Sequence, residues 1–259
     1  MIVMKAATIG VASLIACLAT TPANAEGLKD VTPMTSAARS IVMFSGYDTA
    51  PDSSYMYQGA VIALNRDLGR DGVLLRAYGS HGDYEYGQGL GRIDGDSWQG
   101  DAMIGYKVGF GRAWAAAYVG VEYQRHQLTP DDPTNVVRGS EVGFKVAADI
   151  ASLRTEGPFY FSLSGNYSTA FDSYWSRARV GGNLHRITIG PEVAAFGNAG
   201  FDATRVGGFI TFDFPVTPHL PLEVTLSSGH QFVKDSNGGV SGSGGGEGTY
   251  FGISVSSVF

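Results

Sequence analysis

Three histidines are the side chains in this sequence best suited to acid–base chemistry. His81, His126 and His230 each lie late in a predicted strand or early in the connection that follows it. Each could act as a general base, and some outer-membrane barrels are lipid hydrolases built from His, Ser and an acid on the outer rim. No serine lies at a recognisable spacing from any of the three. We therefore expect a protein that is not an enzyme, with barrel-type lipid hydrolysis as a less favoured alternative.

Two short acidic motifs could bind Ca²⁺, which prefers carboxylate oxygens. They are Asp94-Gly95-Asp96 and Asp131-Asp132. Neither has the repeated spacing of a calcium-binding loop, and Asp, Gly and Pro are also ordinary turn formers. We expect both motifs to form turns, and we expect no metal site and no cofactor.

Four aromatic residues are candidates for glycan binding, because aromatic rings offer flat apolar area to a sugar ring. They are Tyr84, Tyr86, Trp98 and Trp175. For the two tryptophans, which lie near predicted strand ends, the aromatic girdle of a membrane barrel is the favoured interpretation. The two tyrosines lie in a long connection predicted from Gly82 to Asp96, where glycan contact and packing within the loop are equally supported.

The elements that must position these side chains are strands, because alternation with period 2 recurs along the chain. From 141 to 150, for example, Val142 and Phe144 share one face while Glu141 and Lys145 share the other. A helix would spread the charges at a spacing of 3.6 residues. The pattern predicts twelve strands, which begin near Ser40, Tyr55, Gly72, Ser97, Arg112, Ser140, Phe159, Ser173, Arg186, Thr204, Leu222 and Thr249.

The polar face of these strands carries charges of both signs. A soluble β-sandwich or a dry-cored barrel also has one apolar face, but the lumen of a membrane barrel can hold such charges in water or in pairs. The sequence therefore predicts an all-β protein, an antiparallel up-and-down transmembrane β-barrel of about 12 strands. The predicted lumen charge network consists of Arg76, Asp101, Lys107, Glu122, Glu141, Lys145, Arg177, Arg179, Glu192, Arg205 and Glu223.

The predicted connections and the last strand agree with an outer-membrane barrel. Short links at 109–111, 181–185 and 215–221 alternate with long ones at 82–96, 128–139 and 234–248. Short turns on the periplasmic rim and long loops outside are the asymmetry expected of such barrels. The final strand alternates apolar residues up to Phe259, a terminal aromatic typical of chains that the outer-membrane assembly machinery recognises.

The N-terminal segment predicts export. Lys5 precedes an apolar run from Ala6 to Leu18, and Ala23-Asn24-Ala25 is a small-x-small cleavage site. We expect a signal peptide at 1–25, an N-terminal linker at 26–39 and the barrel at 40–259. A competing interpretation is lipidation at Cys17 after a lipoprotein-type signal. Since Cys17 is the sole cysteine, neither interpretation allows a disulfide in the folded domain.

Net charge and hydropathy limit the partners. The formal net charge of −6 argues against nucleic acid, which would require a basic stripe. No stretch after the predicted signal approaches the roughly 20 apolar residues of a membrane helix. A membrane-spanning protein of this kind must then be a closed barrel, in which every backbone hydrogen bond is made between strands. We expect an outer-membrane location and contact with outer-membrane lipids.

A series of short motifs resembles the bacterial cellulose biosynthesis protein BcsS family. The likeness runs from about Phe44 to Phe259 and excludes the glycine-rich run 238–248, which looks like a variable loop. The matching motifs are 44–48, 52–55, 92–106, 130–133, 138–141, 167–172, 190–192, 197–198 and 200–202.

The resemblance implies an accessory, non-catalytic role in making or exporting cellulose. Its implied partners are the cellulose chain and other envelope components of cellulose synthesis. The motifs are structural in character, so no catalytic residue is carried over. The remaining alternative is a general outer-membrane pore, although mixed inward charges favour a narrow, ion-paired lumen.

Overall fold

The computed structural model describes residues 39–88, 91–153, 157–217, 220–234 and 245–259. The predicted signal peptide, nearly all of the predicted linker, Cys17 and most of the glycine-rich run lie outside these ranges, so those predictions remain untested. No helix among the described residues has the length and apolar character needed to cross a membrane.

Within the described residues the chain forms twelve strands and one short 3₁₀ turn at Ala170–Asp172. In chain order the strands are β1 Ile41–Ala50, β2 Ser53–Ala63, β3 Gly72–Gln88, β4 Gly91–Phe110, β5 Ala113–Thr129, β6 Gly139–Ser152, β7 Phe159–Ser168, β8 Ser173–Leu184, β9 Ile187–Asn198, β10 Phe201–Thr217, β11 Leu220–Lys234 and β12 Gly248–Val258.

Each strand pairs antiparallel with its neighbour in sequence, and β1 pairs with β12 to close the barrel. At the closure the backbone carbonyl of Phe259 accepts hydrogen bonds from the amides of Ser40 and Ile41, at 2.5 and 3.0 Å. The amide of Phe259 donates to the carbonyl of Ile41 at 2.8 Å. The closed barrel of twelve antiparallel strands confirms the predicted architecture.

The distribution of side chains is inverted relative to a water-soluble protein. Phe144 is 76% exposed on the outside, whereas its neighbour Lys145 is only 2% exposed on the inside. The same alternation recurs around the barrel and produces an apolar outer belt. The belt includes Ile62, Leu75, Ile104, Val108, Phe110, Val119, Val121, Val142, Phe144, Val146, Phe161, Leu163, Val180, Ile189, Val193, Val206, Leu226, Phe251 and Ile253.

Both chain ends described by the structure lie at one rim, here called the termini rim. The opposite rim, here called the loop rim, carries the connections 51–52, 130–138, 169–172 and 199–200 together with the facing ends of β11 and β12. The observed connection 130–138 confirms the predicted long link 128–139 to within two residues, whereas most of the predicted link 234–248 lies outside the described residues. The termini rim carries 64–71, 111–112 and 185–186.

One predicted connection is wrong. Residues 82–96 do not form a loop, because β3 and β4 stay paired from Gly82 opposite Ser97 to Gln88 opposite Gly91. Asp94-Gly95-Asp96 accordingly lies within β4 and not in a turn. The sequence suggested a loop because the outward side chains there are polar, but a strand that rises beyond the apolar belt meets water and needs a polar outer face.

The extension beyond the belt comprises the loop-rim ends of β3, β4 and β5. Outward side chains become polar after Gly79 on β3, before Trp98 on β4 and after Tyr123 on β5. We call these three strand ends the extension. They lie beyond the apolar belt, and Tyr86 of β3 contacts the loop-rim connection 130–138.

Candidate functional site in the lumen and its mouth

A carboxylate–lysine cluster lines the lumen along β3 to β6. The Lys145 ammonium lies 2.7 Å from Asp101 Oδ2 and also donates to Glu122 Oε1. Gln124 Nε2 donates to Glu122 Oε2 at 2.7 Å, and Arg76 Nε lies 4.0 Å from Asp101. The side chains of Asp101 and Glu122 are fully buried. The positive charge of Lys145 is therefore the main group that offsets the negative charges of these two carboxylates.

A second cluster joins β8 to β12 with β1. Arg179 Nε pairs with Glu192 Oε2 at 2.7 Å, and the Tyr250 hydroxyl donates to Glu192 Oε1 at 2.8 Å. Arg205 reaches Asp48 with 3.3 Å between Nη1 and Oδ1. Since β10 and β1 are separated by two strands in the barrel order, this pair bridges across part of the lumen.

Aromatic rings cover the arginines of the second cluster. The Arg205 guanidinium lies 4.9 Å from the ring centroid of Phe196, and the Arg179 guanidinium lies 4.8 Å from that of Phe209. Stacking of this kind stabilises a guanidinium group that has lost water. This wall therefore consists of arginines held between rings and carboxylates.

Neutral polar side chains separate the two clusters. The Tyr55 hydroxyl lies 2.7 Å from the Tyr78 hydroxyl and donates to Ser80 at 2.8 Å and to Gln99 at 3.2 Å. The Tyr78 ring in turn lies 5.5 Å from the ammonium of Lys145, which is on a strand three positions away around the barrel. Side chains thus reach across the lumen as well as along its wall.

Four members of the predicted charge network lie outside these ion pairs. Lys107 donates to the backbone carbonyl of Leu68 at the termini rim, and the Glu141 carboxylate accepts the Phe171 amide at 2.9 Å at the loop rim. Arg177 lies over the ring of Trp175 at 5.1 Å. Glu223 lies directly opposite Asp213 in the register of β10 and β11. The eleven residues therefore form two separate clusters with outlying members, not one network.

Tyr84 and Tyr86 do not present free rings to a glycan. Both lie on the inner face of β3 in the extension, and they are only 4% and 5% exposed. They pack with Ile93 and Leu128 in a small apolar cluster. The predicted loop position is wrong for these two residues, and of the two interpretations left open for them it is packing that occupies their rings.

The two tryptophans lie on opposite faces. Trp98 points outward from β4 at the upper edge of the apolar belt and is 55% exposed, which is the position that a girdle residue would occupy. Trp175 shares the inner face of β8 with Arg177, so the girdle interpretation is wrong for Trp175. Of the four predicted glycan-binding aromatics, Trp175 is therefore the one whose ring lines the lumen with only partial burial.

The connections of the loop rim form a cap, defined here as residues 130–138, 169–172 and 199–200. Tyr86 anchors the first of them: its hydroxyl donates to Asp132 Oδ2 at 3.0 Å and accepts from Asn135 Nδ2 at 2.8 Å. The Ala199 amide donates to the Phe171 carbonyl at 2.8 Å. Hydrogen bonds therefore join the second and third connections of the cap to each other, and join the first to the inner face of the extension.

Asp132 forms the turn that its residue type predicted. Its carboxylate accepts hydrogen bonds from the Thr134 hydroxyl at 2.7 Å and from the Thr134 amide at 3.1 Å. The hydrogen bond from the Thr134 side chain is the main cause that holds the pKa of Asp132 below its ordinary value. The carboxylate is thus charged, and it fixes the local conformation of the cap.

The three histidines have different surroundings. His126 is buried in the extension, where its Nδ1 lies 3.1 Å from the Tyr84 hydroxyl and its ring meets the edge of Phe171. Burial lowers the pKa of His126 to about 4. His230 lies 3.8 Å from Glu247, and His81 lies beside Trp98 on the outer face. The predicted candidate bases therefore lie in separate environments, His81 and His126 on opposite faces of the extension, and His126 is a packed structural residue.

Several lumen residues were missed from the sequence. Asp48 and Tyr250 complete the second cluster, and Gln99 and Gln124 bind Glu122 in the first. Asp48 could have been found, since it shares the inward period-2 face of β1. The glutamines could not, because an uncharged side chain gives no signal of a buried ion pair.

Comparison with solved structures finds similar architectures at low identity. A KdgM porin in complex with disordered oligogalacturonate is 10% identical with a TM-score of 0.41, over 84% of this chain and 99% of that one. The low-pH structure of Pseudomonas putida OprB is 13% identical with a TM-score of 0.28, over 85% of this chain and 92% of that one. No curated protein matches this sequence.

The family comparison is decisive for the identity of the chain. The family model described as cellulose biosynthesis protein BcsS matches residues 42–259, from the second residue of β1 to the closing Phe259. That range contains every strand and both lumen clusters. The chain belongs to the BcsS family of cellulose biosynthesis proteins.

Proposed function

We propose that the protein is an outer-membrane barrel that serves cellulose synthesis or export as a non-catalytic accessory component. The observation that carries the proposal is the inverted side-chain distribution, in which exposed Phe144 adjoins buried Lys145, in a chain of the BcsS family. An apolar outer belt that surrounds a charged lumen suits a protein surrounded by lipid.

The lumen contents favour an accessory role over that of a conduit for the glucan. Cellulose is a neutral polymer, and its passage would require the contact between Arg205 and Asp48, which bridges part of the lumen, to separate. Breaking a buried ion pair costs several kcal/mol when one partner is left uncompensated. A conduit would be better lined by neutral polar and aromatic groups. The proposed role is therefore to support or anchor other envelope components of cellulose synthesis.

The non-catalytic part of the proposal is supported by the positions of the histidines. His126, the one nearest the lumen, is packed between Tyr84 and Phe171, and burial keeps it neutral at physiological pH. A hydrolase would need a base that is open to substrate and close to a nucleophile. Purified protein is expected to release no fatty acid from phospholipid vesicles; sustained release that is lost in a His126→Gln variant would contradict this part.

The accessory role is tested by deleting the gene and measuring cellulose output and fibre form. We expect reduced or structurally altered cellulose, restored by wild-type protein supplied in trans. Cellulose that is unchanged in amount and form would contradict the proposal. Fractionation tests the location separately: the barrel should be found with the outer membrane and migrate on gels in a heat-modifiable form.

A general pore is the second candidate, and the specific observation in its favour is the closed barrel with a polar interior. Single-channel recording in planar bilayers separates the two candidates. Large, steady and unselective currents from the wild-type protein would favour the pore, whereas little steady current agrees with a lumen occupied by paired side chains.

A further inference from the structure

Three side chains that commonly bind metals meet on the outer face of the extension. Asp83 on β3 lies directly opposite Asp96 on β4, and His81 lies two residues before Asp83 on the same outward face. One ligand atom from each residue can be chosen so that all three lie within 4.8 Å of one another. We call these three residues the outer triad.

The charges within the outer triad are poorly balanced. Two carboxylates at directly opposite positions of an antiparallel pair repel each other. Two arginines on the same outer face of the extension are engaged elsewhere: Arg92 pairs with Glu85 and Asp94, and Arg125 donates to Gln127. Among the described residues, only the imidazole of His81 lies within 4.0 Å of both Asp83 and Asp96.

The imidazole itself lacks a satisfactory partner. His81 Nε2 is 3.5 Å from Asp83 Oδ2, and Nδ1 is 3.7 Å from Asp96 Oδ2, both longer than a good hydrogen bond. Nδ1 is buried and has no hydrogen-bond partner within the described part of the chain. Leaving a buried polar nitrogen unpaired costs about 1–3 kcal/mol, so an arrangement that retains it points to a ligand.

The ring of His81 is held in place by Trp98. The two ring centroids are 4.4 Å apart with an angle of 36° between the planes. This contact presents the imidazole edge to the two carboxylates without requiring a hydrogen bond to orient it. The carboxylates are 57% and 45% exposed, so an ion could reach them from solvent.

We propose that His81, Asp83 and Asp96 bind one divalent transition-metal cation, of the class of Zn²⁺ or Co²⁺, on the outer face just beyond Trp98. One imidazole nitrogen and two carboxylate oxygens are a ligand set that such cations accept, with water in the remaining positions. The cation would neutralise the facing carboxylates and supply the partner that the imidazole lacks. The site lies outside the lumen and is independent of the proposed cellulose role.

Trp98 provides a direct reporter for the test. Full-length protein purified in detergent is titrated with Co²⁺, a paramagnetic ion that quenches a nearby indole. We expect saturable quenching at one equivalent, limited to about one third of the total tryptophan emission because the chain has 3 tryptophans. His81→Ala and Asp96→Asn should weaken binding at least about tenfold. Asp94→Asn, which removes an exposed carboxylate from the same face, should leave the affinity unchanged.

Calorimetric titration with Zn²⁺ separates binding from the fluorescence signal. A Trp98→Phe variant should lose most of the quenching but still bind one Zn²⁺. This result would show that the metal binds whether or not the fluorescent reporter is present. Binding that survives unchanged in the His81→Ala and Asp96→Asn variants, or a wild-type protein with no saturable binding at millimolar cation, would overturn the proposal. Heat-modifiable migration of each variant checks that the barrel is intact, which we expect because all four substitutions lie on the outer surface.

Discussion

At the scale of single residues, Lys145 has the largest expected effect on stability. Replacing it by Met removes the one ammonium group that contacts both Asp101 and Glu122, whose side chains are fully buried. Loss of one partner from a buried ion pair costs about 3–5 kcal/mol. We expect Lys145→Met to lower the free energy of unfolding by about that amount, measured from the urea midpoint of the barrel in lipid vesicles.

Lys107→Met is the matched control for this prediction. Lys107 also points inward, but it is only partly buried: it donates to the Leu68 carbonyl at the termini rim and lies over the Trp114 ring. Its replacement leaves no fully buried carboxylate without a partner and should cost less than the Lys145 substitution, about 1 kcal/mol. Equal effects of the two substitutions would contradict the special role of the carboxylate–lysine cluster.

The sequence allowed the direction of these charged side chains to be predicted, but not their pairing. Alternation correctly assigned Lys145, Glu122 and Arg205 to the inner face. Their partners depend on how neighbouring strands are staggered and on which long side chains reach across the lumen. Such distances between strands leave no local mark in the sequence, which is why the pairing of Arg205 with Asp48 could not be predicted.

At the scale of elements, Tyr86 fixes the cap to the extension. Tyr86→Phe removes the hydroxyl that links Asp132 and Asn135 and leaves the ring in place. Loss of buried hydrogen bonds should cost about 1–3 kcal/mol locally. We expect faster backbone hydrogen exchange in 130–138, with no change in the strand segments within the apolar belt.

The control for Tyr86 is Tyr123→Phe, on the neighbouring outer face. The Tyr123 hydroxyl donates to Ser140 at 3.1 Å in an exposed position, so its removal should leave exchange in the cap unaltered. If both variants accelerate exchange equally, or if neither does, the cap does not depend on the buried Tyr86 contacts.

Acid should loosen the cap through His126. Burial lowers the pKa of His126 to about 4, while an opened cap would expose an imidazole with an ordinary pKa of about 6.5. Between these two pKa values the open state binds more protons than the closed state. The stability of the cap is therefore greatest above pH 6.5 and falls as the pH is lowered toward 4. Hydrogen exchange in 130–138, corrected for its intrinsic pH dependence, should rise over this window.

A His126→Gln variant should abolish that pH dependence. Asp132 acts in the same direction but at lower pH, because its pKa is held below the ordinary value and its stabilising contacts are lost only when it becomes protonated. A response between pH 6.5 and 4 that persists in His126→Gln would assign the effect to another group.

The elements themselves were largely predictable. Eleven of the predicted strand starts lie within three residues of the observed ones, because an apolar outer face and a polar inner face produce a clear period of 2. The exception is β4, which begins at Gly91 and not near Ser97. There the outer face meets water, so the polar outward side chains of β3 and β4 resembled a loop.

At the scale of the whole molecule, the two lumen clusters connect strands that are not neighbours in the closed barrel. Lys145 on β6 lies over Tyr78 on β3, and Arg205 on β10 reaches Asp48 on β1. Each contact joins strands three positions apart around the barrel. Together they occupy space that an open pore would leave to water, which links the fold directly to the question of conduction.

Removing the contact between Arg205 and Asp48 should therefore open the lumen. Arg205→Ala eliminates a guanidinium group that pairs with Asp48 and lies between the rings of Phe196 and Tyr250. We expect the variant to conduct more than the wild-type protein in planar bilayers, and to favour cations, because Asp48 loses its counter-charge. Arg138→Ala, which removes an exposed arginine paired with Asp131 at the loop rim, should leave conductance unchanged. A wild-type protein that already conducts as well as the Arg205→Ala variant would mean that these side chains do not obstruct the lumen, and would support the pore.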